Sequence, residues 1–359
     1  MGSVIHSVGT YFPDRVLTNS ELVRILALSN VETSDEWIFE RTGIRNRRVA
    51  SSDENVATMA YRASVSALNK IDHGVDPIKH IVVATNTNYR SFPNVAGYVQ
   101  DKLFETFPKL IDRSASGVDL SAGCAGINFA LMHADGLIKS GIYDSVLVIG
   151  AEHLSSITDY FNRSTCILFE DGASAYVLGK FDSGDYLTGF LGHYSKGDGA
   201  NREDIYCEEN CEKVTLEDAL NALETNIPPV RTRGRVLSMN GTKVFKYVTR
   251  QWKDLFDGFV RNSKLNPYSI PPSRLKAIAP HLFNFRGLKN VDVEFPWFLD
   301  KCGLSEDSSL VNFCNSSTAS QGARVERFLD SAEQGEHCLM VGYGSGLQFC
   351  ANLYQKPLV

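Results

Sequence analysis

The sequence predicts an α/β fold built from two duplicated halves, and two observations lead to that prediction. The first is the character of the predicted strands. The segments HIVVAT (80–85), SVLVIG (145–150) and CLMVG (338–342) are almost continuous apolar runs. Such runs are typical of strands that are buried on both faces of a largely parallel sheet. We therefore expect helices on both sides of each sheet.

The second observation is internal repetition. Residues 68–88 read as a helix end, a turn and a buried strand, and residues 262–284 repeat that order about 197 residues later. Residues 124–154 read as a helix, a glycine, a polar turn and a strand, and residues 315–346 repeat that order at an offset of about 192. The nearly common offset indicates one duplicated α/β unit.

In chain order, the elements divide the sequence into an N-terminal half (1–185), a connection (186–235) and a C-terminal half (236–359). The connection is polar and contains prolines, so its apolar content is too low for a core of its own. Within it, TLEDALNALE (215–224) predicts a short helix with Thr215 as its N-cap.

The composition excludes several classes of protein. The 359 residues carry a formal net charge of -6, which favours neither a nucleic acid nor an anionic membrane surface as a partner. The N-terminus lacks the features of a signal peptide, and no segment reaches about 18 uninterrupted apolar residues. We therefore expect a cytoplasmic protein whose eight cysteines are reduced thiols. Cys207 and Cys211 have C-x3-C spacing without a second half, so no metal site is expected.

One cysteine lies in a distinctive context. In VDLSAGCAGINFALMHADGLIKSG (118–141), Cys124 stands among small residues where an apolar run changes into a helical pattern. A cysteine beside an apolar run is usually a small core residue, and that interpretation stays open. The alternative is a nucleophile, because the small residues allow a substrate to approach and the start of a helix favours the thiolate.

Two polar residues complete a candidate reactive centre. His281 ends the strand in IAPHLFNF, and α/β folds place catalytic groups at such strand ends, although a buried structural histidine is the alternative. Asn315 in NFCNSSTASQG has nearly the position in the second half that Cys124 has in the first. A cysteine, a histidine and an asparagine on three elements suit acyl transfer. The glycines of VGYGSG (341–346) offer a backbone N–H group to an oxyanion.

Around these residues the chain resembles the β-ketoacyl-acyl-carrier-protein synthase III family of the thiolase superfamily. The motifs occur in the family's order over nearly the whole length: GTYFPDRVLTNSEL, TSDEWIFERTGIRNRR, DLSAGCAGINFAL, LFEDGASAYVLG, MNGTKVFKYV, PHLFNFR and CNSSTAS. The resemblance implies the thiolase fold, with the duplicated halves stacked in five layers, α-β-α-β-α. The chain has PHLFN, CNSSTAS and EDGASA where the family commonly has PHQAN, GNTSAAS and GDGAGA. These departures make a specialised role in secondary metabolism an alternative to the initiation of fatty-acid synthesis.

The resemblance also assigns roles to individual residues. Cys124 is implied as the acylated nucleophile, with His281 and Asn315 completing a triad. Backbone N–H groups of Cys124 and Gly344 are expected to hold the oxyanion. The other residues are expected to contact substrates or partners: Trp37, Arg41 and Arg163 at coenzyme A, Phe92 at the acyl pocket of the neighbouring subunit, and Arg286 with Lys289 at the acyl carrier protein.

The implied activity is ping-pong acyl transfer by a homodimer. An acyl group moves from acyl-coenzyme A to Cys124 and then condenses with a malonyl or β-ketoacyl thioester on an acyl carrier protein, with loss of carbon dioxide. Coenzyme A thioesters are substrates, and neither a cofactor nor a metal is expected. Two alternatives stay open. One is an acyltransferase of the same fold that passes the acyl group to an oxygen or nitrogen nucleophile without decarboxylation, and the other is a non-catalytic partner subunit of a heterodimeric synthase.

Overall fold

The computed structural model describes residues 2–71, 74–181, 188–304 and 314–357. The strands are β1 (Gly2–Tyr11), β2 (Val16–Thr18), β3 (Asn46–Arg48), β4 (Ile78–Ala84), β5 (Ile111–Leu120), β6 (Ser145–Glu152), β7 (Gly172–Phe181), β8 (Gly189–Gly197), β9 (Ile205–Lys213), β10 (Thr232–Met239), β11 (Leu275–Pro280), β12 (His337–Gly344) and β13 (Gln348–Gln355). The helices are α1 (Asn19–Ala27), α2 (Asp35–Thr42), α3 (Val56–Leu68), α4 (Val95–Thr106), α5 (Gly126–Lys139), α6 (Arg163–Cys166), α7 (Leu216–Thr225), α8 (Gly241–Gly258), α9 (Phe285–Glu294), α10 (Phe298–Lys301) and α11 (Gly322–Ser331).

Two mixed sheets carry the fold. The first has the strand order β1-β7-β6-β4-β5, and the second has the order β11-β12-β13-β8. In the first sheet β4 and β6 are parallel, whereas β6 with β7 and β7 with β1 are antiparallel. In the second sheet β11 and β12 are parallel, whereas β12 with β13 and β13 with β8 are antiparallel. The two sheets therefore repeat one pattern of strand directions, as a duplicated unit should.

The expectation of largely parallel sheets is wrong. Only residues 345–347 join β12 to β13, and so short a connection makes neighbouring strands antiparallel. The strands β6 and β12 are nevertheless buried along almost their whole length. Their continuous apolar sequences reflect cover by helices on both faces, which does not depend on strand direction.

Two helices form the layer between the sheets. Both α5 and α11 contact strands of the first sheet and strands of the second. Apolar side chains such as Ile127, Leu131 and Val148 form the core of this layer together with Met340. On the outer faces, α3 and α4 cover the first sheet, and α10 contacts the second with α9 packed against it. This arrangement confirms the layered thiolase fold.

The connection contributes to both the fold and the site. The predicted short helix is confirmed as α7, where the Thr215 hydroxyl accepts a hydrogen bond from the N–H of Asp218. The two-stranded antiparallel sheet of β9 and β10 was not predicted, because most of β9 is exposed and its polar sequence has no apolar periodicity. Strand β8 also lies in the connection and joins the second sheet. The predicted boundary between residues 185 and 186 falls outside the described residues, so the division into halves stays a prediction.

The position of α2 matters for the site, because this helix carries Trp37 and Arg41. The Ser34 hydroxyl caps its start by accepting from the N–H of Trp37, and Gly43 ends it at φ 74°. A Cβ atom at Gly43 would lie 2.4 Å from Cβ of Phe285. Glycine therefore lets α2 end directly against the start of α9. None of the described helices is long and apolar enough to span a membrane.

Candidate active site

A cavity of about 970 Å³ lies between residues of the N-terminal and C-terminal halves. Its walls come from the loop before α5, the end of β11, the segment that starts at Asn315, and the turn after β12. Residues selected from the sequence that line it are Cys124, His281, Asn315, Gly344, Trp37, Arg41 and Arg163. The fold thus brings together, around one space, side chains that lie up to three hundred residues apart in the sequence.

The loop that carries Cys124 packs tightly on the turn after β12. Gly123 has φ 59°, and a Cβ atom there would lie 2.5 Å from Ser345 Oγ. A Cβ atom at Gly344 would lie 2.5 Å from the backbone nitrogen of Cys124. Both positions therefore require glycine, and the backbones of Cys124 and Gly344 come into direct contact. This contact brings two backbone N–H groups to one end of the cavity.

Cys124 lies two residues before the first residue of α5, as the sequence indicated. Burial raises the pKa of its thiol to about 12, a hydrogen bond with the Ser317 side chain opposes that rise, and the charge of Glu152 adds to it. Desolvation of the charged sulfur therefore opposes the thiolate that the helix start was expected to favour. The thiol needs a base at the moment of attack.

His281 directly follows β11, and its side chain is 1% exposed. Burial lowers the pKa of its imidazole to about 3, so the ring is neutral at physiological pH. Its backbone N–H donates to the Val341 carbonyl at 2.7 Å, and its own carbonyl accepts from the Tyr343 hydroxyl at 2.7 Å. These two bonds fix the ring on the end of the second sheet.

The hydroxyl of Ser320 determines which ring nitrogen carries the proton. Ser320 Oγ lies 2.8 Å from the carbonyl oxygen of Ser317, which can only accept, so the hydroxyl donates there. Ser320 Oγ is then the acceptor in its 2.8 Å contact with His281 Nδ1. Nε2 keeps its lone pair in this arrangement. His281 is therefore set up to take a proton.

Asn315 is held by both its backbone and its side chain. Its N–H donates to the Leu168 carbonyl at 3.3 Å, and its carbonyl accepts from the N–H of Glu170 at 3.0 Å. Its side-chain Oδ1 accepts from the N–H of Ser317 at 3.0 Å. Because one end of the planar amide is fixed in this way, Nδ2 points away from Ser317. The amide group thus presents a donor in a defined orientation.

The cavity has a cationic and aromatic entrance. The Arg41 guanidinium lies 4.5 Å from the centre of the Trp37 ring, and that of Arg163 lies 4.3 Å from the same ring. Arg163 also donates to the Glu32 carbonyl at 2.6 Å. An indole ring can stack on a nucleobase, and guanidinium groups pair with phosphate oxygens. The entrance therefore has the chemistry that a nucleotide-bearing substrate needs.

Three of the residues selected from the sequence lie outside the lining of this cavity. Phe92 is 83% exposed in the loop before α4. Arg286 is exposed and Lys289 is partly buried on α9, where the Lys289 ammonium lies 5.2 Å from the ring centre of Phe285. Helix α9 begins beside Phe283 and Asn284, which do line the cavity. The two basic residues are therefore near the entrance.

The structure also identifies residues that the sequence did not single out for function. Cys207 on β9 is exposed and lines the same cavity as Cys124. Glu152 ends β6 and contacts Asn86 and Ser317 beside the nucleophile. A carboxylate at the end of the otherwise apolar strand SVLVIGAE is the signal that could have found it, because a buried acid needs partners.

Comparisons with known proteins agree with this geometry. Residues 118–195 match the family model described as 3-oxoacyl-[acyl-carrier-protein (ACP)] synthase III. The β-ketoacyl-[acyl-carrier-protein] synthase III of Oceanobacillus iheyensis is 32% identical over 97% of this chain and 96% of its own length. The solved synthase III of Thermus thermophilus has a TM-score of 0.78 and 30% identity, with 98% of both chains covered. The priming β-ketosynthase of the R1128 polyketide biosynthetic pathway has a TM-score of 0.75 and 27% identity, covering 99% of this chain and 96% of its own.

Proposed function

Because this chain belongs to the β-ketoacyl-acyl-carrier-protein synthase III family of acyltransferases, we propose that it is a decarboxylating ketosynthase. It takes an acyl group from acyl-coenzyme A onto Cys124 and condenses that group with a malonyl thioester on an acyl carrier protein, with loss of carbon dioxide. The observation that supports this most directly is the shared cavity of Cys124, His281 and Asn315. It combines a nucleophile, a neutral base and an oriented amide donor.

The first half-reaction is acylation of Cys124. The thiol proton passes to Nε2 of His281 in concert with the attack of the sulfur on the thioester carbonyl, because the forming C–S bond makes that proton acidic enough for an imidazole whose pKa is lowered. The backbone N–H groups of Cys124 and Gly344 hold the oxyanion of the tetrahedral intermediate. The bond from the carbonyl carbon to the sulfur of coenzyme A then breaks, and the leaving sulfur takes the proton from His281.

The second half-reaction forms the carbon–carbon bond. Loss of carbon dioxide from the malonyl thioester leaves an enolate, whose oxygen accepts a hydrogen bond from Nδ2 of Asn315. His281 is a second donor when its single proton lies on Nε2, the tautomer in which Nδ1 accepts from the Ser320 hydroxyl. The enolate carbon attacks the acyl carbonyl, the bond from that carbon to Cys124 breaks, and the sulfur takes up one proton from water.

The entrance supports coenzyme A as the first carrier of the acyl group. Trp37 offers a face for the adenine, and Arg41 and Arg163 offer paired donors for its phosphates. For the second substrate, Arg286 and Lys289 on α9 give a basic surface beside the entrance. An acidic carrier protein needs such a surface because the whole chain has a net charge of -6.

We also propose a homodimer. Strand β5 lies at the edge of the five-stranded sheet, and Val118 on it is 47% exposed. An exposed edge strand can pair with the same strand of a second copy. Phe92 is exposed and stands in the loop before α4, which packs on β5. In the dimer it would reach the acyl pocket of the neighbouring subunit.

One observation favours a second candidate function. In the hydrogen-bond network Nε2 of His281 has a lone pair, which suits a base that deprotonates an attacking hydroxyl or amine as well as a thiol. The protein would then be an acyltransferase that passes the acyl group to oxygen or nitrogen without loss of carbon dioxide.

The two functions differ in one product. We expect that the enzyme with acyl-coenzyme A and malonyl-carrier protein releases carbon dioxide, and that the carrier gains the mass of a β-ketoacyl group. Intact-mass spectrometry of the carrier and trapping of labelled carbon dioxide measure both. Acylation of Cys124 without carbon dioxide release on any malonyl thioester, but with transfer to an alcohol or amine, would support the second candidate instead.

A further inference from the structure

Glu152 is a fully buried carboxylate at the contact between the two halves, with 0% of its surface exposed. Hydrogen-bond donors surround both of its oxygens. They are Asn86 Nδ2 at 2.7 Å and Ser317 Oγ at 3.0 Å on Oε1, with Thr87 Oγ1 at 2.8 Å, the Asn86 N–H at 3.1 Å and Thr85 Oγ1 at 3.4 Å on Oε2. Burial raises the pKa of this carboxyl, and the bonds from Thr87, Asn86 and Ser317 oppose that rise because they favour the ionised form.

One arm of this network reaches the loop of the nucleophile. Asn86 gives both its N–H and its Nδ2 to Glu152, which fixes the direction of its Oδ1. That oxygen accepts from the N–H of Gly123 at 3.1 Å and from Ser121 Oγ at 3.1 Å. Gly123 immediately precedes Cys124. Through one intermediate residue, Glu152 therefore holds the backbone that carries the sulfur.

The other arm reaches the residues that the second half contributes. The Ser317 hydroxyl donates to Glu152, the Ser317 N–H donates to Oδ1 of Asn315, and the Ser317 carbonyl accepts from the Ser320 hydroxyl that contacts His281. Ser317 has φ 49°, which lies in the left-handed region and costs a residue with a side chain about 1 kcal/mol or more. The bond from its hydroxyl to Glu152 helps to keep it in that conformation.

The end of β6, which carries Glu152, packs closely on the segment that carries Ser317. A Cβ atom at Gly150, two residues before Glu152, would lie 2.4 Å from the Thr318 carbonyl oxygen. The end of β6 therefore touches the 3₁₀ turn Ser317–Ala319 backbone to backbone. A change in the side chain at position 152 cannot be absorbed by a gap at this point.

We propose that Glu152 is a positioning residue that holds Cys124 of one half at a fixed place relative to Asn315 and His281 of the other, by accepting from Asn86 and Ser317. Its effect on condensation rests on the proposed function. A second effect does not: the charge of Glu152 adds to the rise in the pKa of Cys124 that burial causes.

The variant Glu152→Gln tests both effects in the full-length enzyme. We expect kcat for condensation to fall about 100-fold, with the KM for acyl-coenzyme A nearly unchanged, because misplacement of reacting groups costs rate rather than binding. Alkylation of Cys124 by iodoacetamide at neutral pH should instead become faster. The increase is about tenfold if loss of the charge lowers the thiol pKa by one unit.

The matched control is Asp135→Asn. Asp135 is another buried carboxylate of the same half, 4% exposed, and it pairs with Lys139 and His193 at the other end of α5. We expect this control to leave both rates near those of the wild type. Equal losses in the two variants would mean that Glu152 acts only through stability and would overturn the proposal.

Two further outcomes separate this proposal from the proposed function. If the enzyme never condenses malonyl thioesters, the alkylation rate of Cys124 still tests Glu152, and an unchanged or slower rate overturns its role. If Glu152→Gln does not fold, Asn86→Ala and Ser317→Ala each remove one arm and leave the carboxylate in place. We expect each to slow condensation about tenfold. Wild-type rates in both would contradict the network.

Discussion

Replacement of His281 by alanine should slow the acylation of Cys124, and the structure sets the size of that effect. With a thiol pKa of about 12, only about one Cys124 in 10⁵ is ionised at pH 7. A positioned general base contributes about 10²- to 10⁴-fold to such a proton transfer. His281→Ala should therefore reduce the burst rate of acylation by that factor at neutral pH.

The acylation rate of the wild type should depend on pH differently from that of His281→Ala. The imidazole of His281 has a pKa lowered to about 3, so its Nε2 is a proton acceptor at every pH above about 5. Wild-type acylation should then be nearly independent of pH in the neutral range. In His281→Ala the rate should follow the thiolate fraction, which grows about tenfold for each pH unit below the pKa of about 12.

Asn315→Ala is the matched comparison, because Asn315 lines the same cavity but its amide cannot take up the thiol proton. Its loss should leave the acylation burst within about threefold of the wild type and slow condensation about 100-fold, the cost of one preorganised donor. Rapid-quench intact-mass spectrometry with acyl-coenzyme A measures the burst in each variant. A His281→Ala enzyme that acylates as fast as the wild type at pH 7 would refute the reasoning.

Three further outcomes are expected. Cys124→Ala should abolish the mass gain with acyl-coenzyme A. Cys207→Ala, which changes the other accessible thiol of the cavity, should retain that mass gain. An adduct that persists in Cys124→Ala would contradict the assignment of Cys124 as the nucleophile. Replacement of both Arg286 and Lys289 by Glu should raise the apparent KM for the carrier-bound substrate about tenfold at low salt and leave the acylation rate unchanged. An equal KM in the variant and the wild type would mean that the carrier protein docks elsewhere. Burial raises the pKa of Glu170 from 4.5, its value in the unfolded chain, to about 8 in the folded protein. The folded protein therefore binds this proton more tightly than the unfolded chain does. Stability should therefore fall as pH rises through this window, and Glu170→Gln should stabilise the protein above pH 8 by on the order of 4 kcal/mol in thermal unfolding.

Much of the fold can be predicted from the sequence, because burial on both faces leaves a clear signal. The apolar runs around residues 80–85, 145–150 and 338–342 all became central strands, and the offsets of about 197 and 192 correspond to strands with the same place in each sheet. The direction of the strands could not be read in this way. Strand β5 and the two-stranded sheet of β9 and β10 were also missed, since the polar, exposed sequences of β5 and β9 have no apolar pattern.

The site was predictable where a residue type and its local context coincide. Cys124, His281 and Asn315 fall at the end of a strand or the start of a helix, and the structure places all three around one cavity. The protonation state of Cys124 was not predictable, because it depends on desolvation by residues that are distant in sequence. Glu152 was missed although its place at the end of an apolar strand is a signal, and its link to the second half through Ser317 appears only in the structure.

The account depends most on the claim that acyl-Cys124 is the intermediate that condenses with loss of carbon dioxide. Enzyme acylated at Cys124 can be freed of coenzyme A and mixed with malonyl-carrier protein in a single turnover. We expect one carbon dioxide for each acyl group lost from the enzyme, and a carrier that gains the corresponding β-ketoacyl mass. Loss of the acyl group without carbon dioxide, or carbon dioxide release from Cys124→Ala at the same rate with formation of the β-ketoacyl product, would contradict the account.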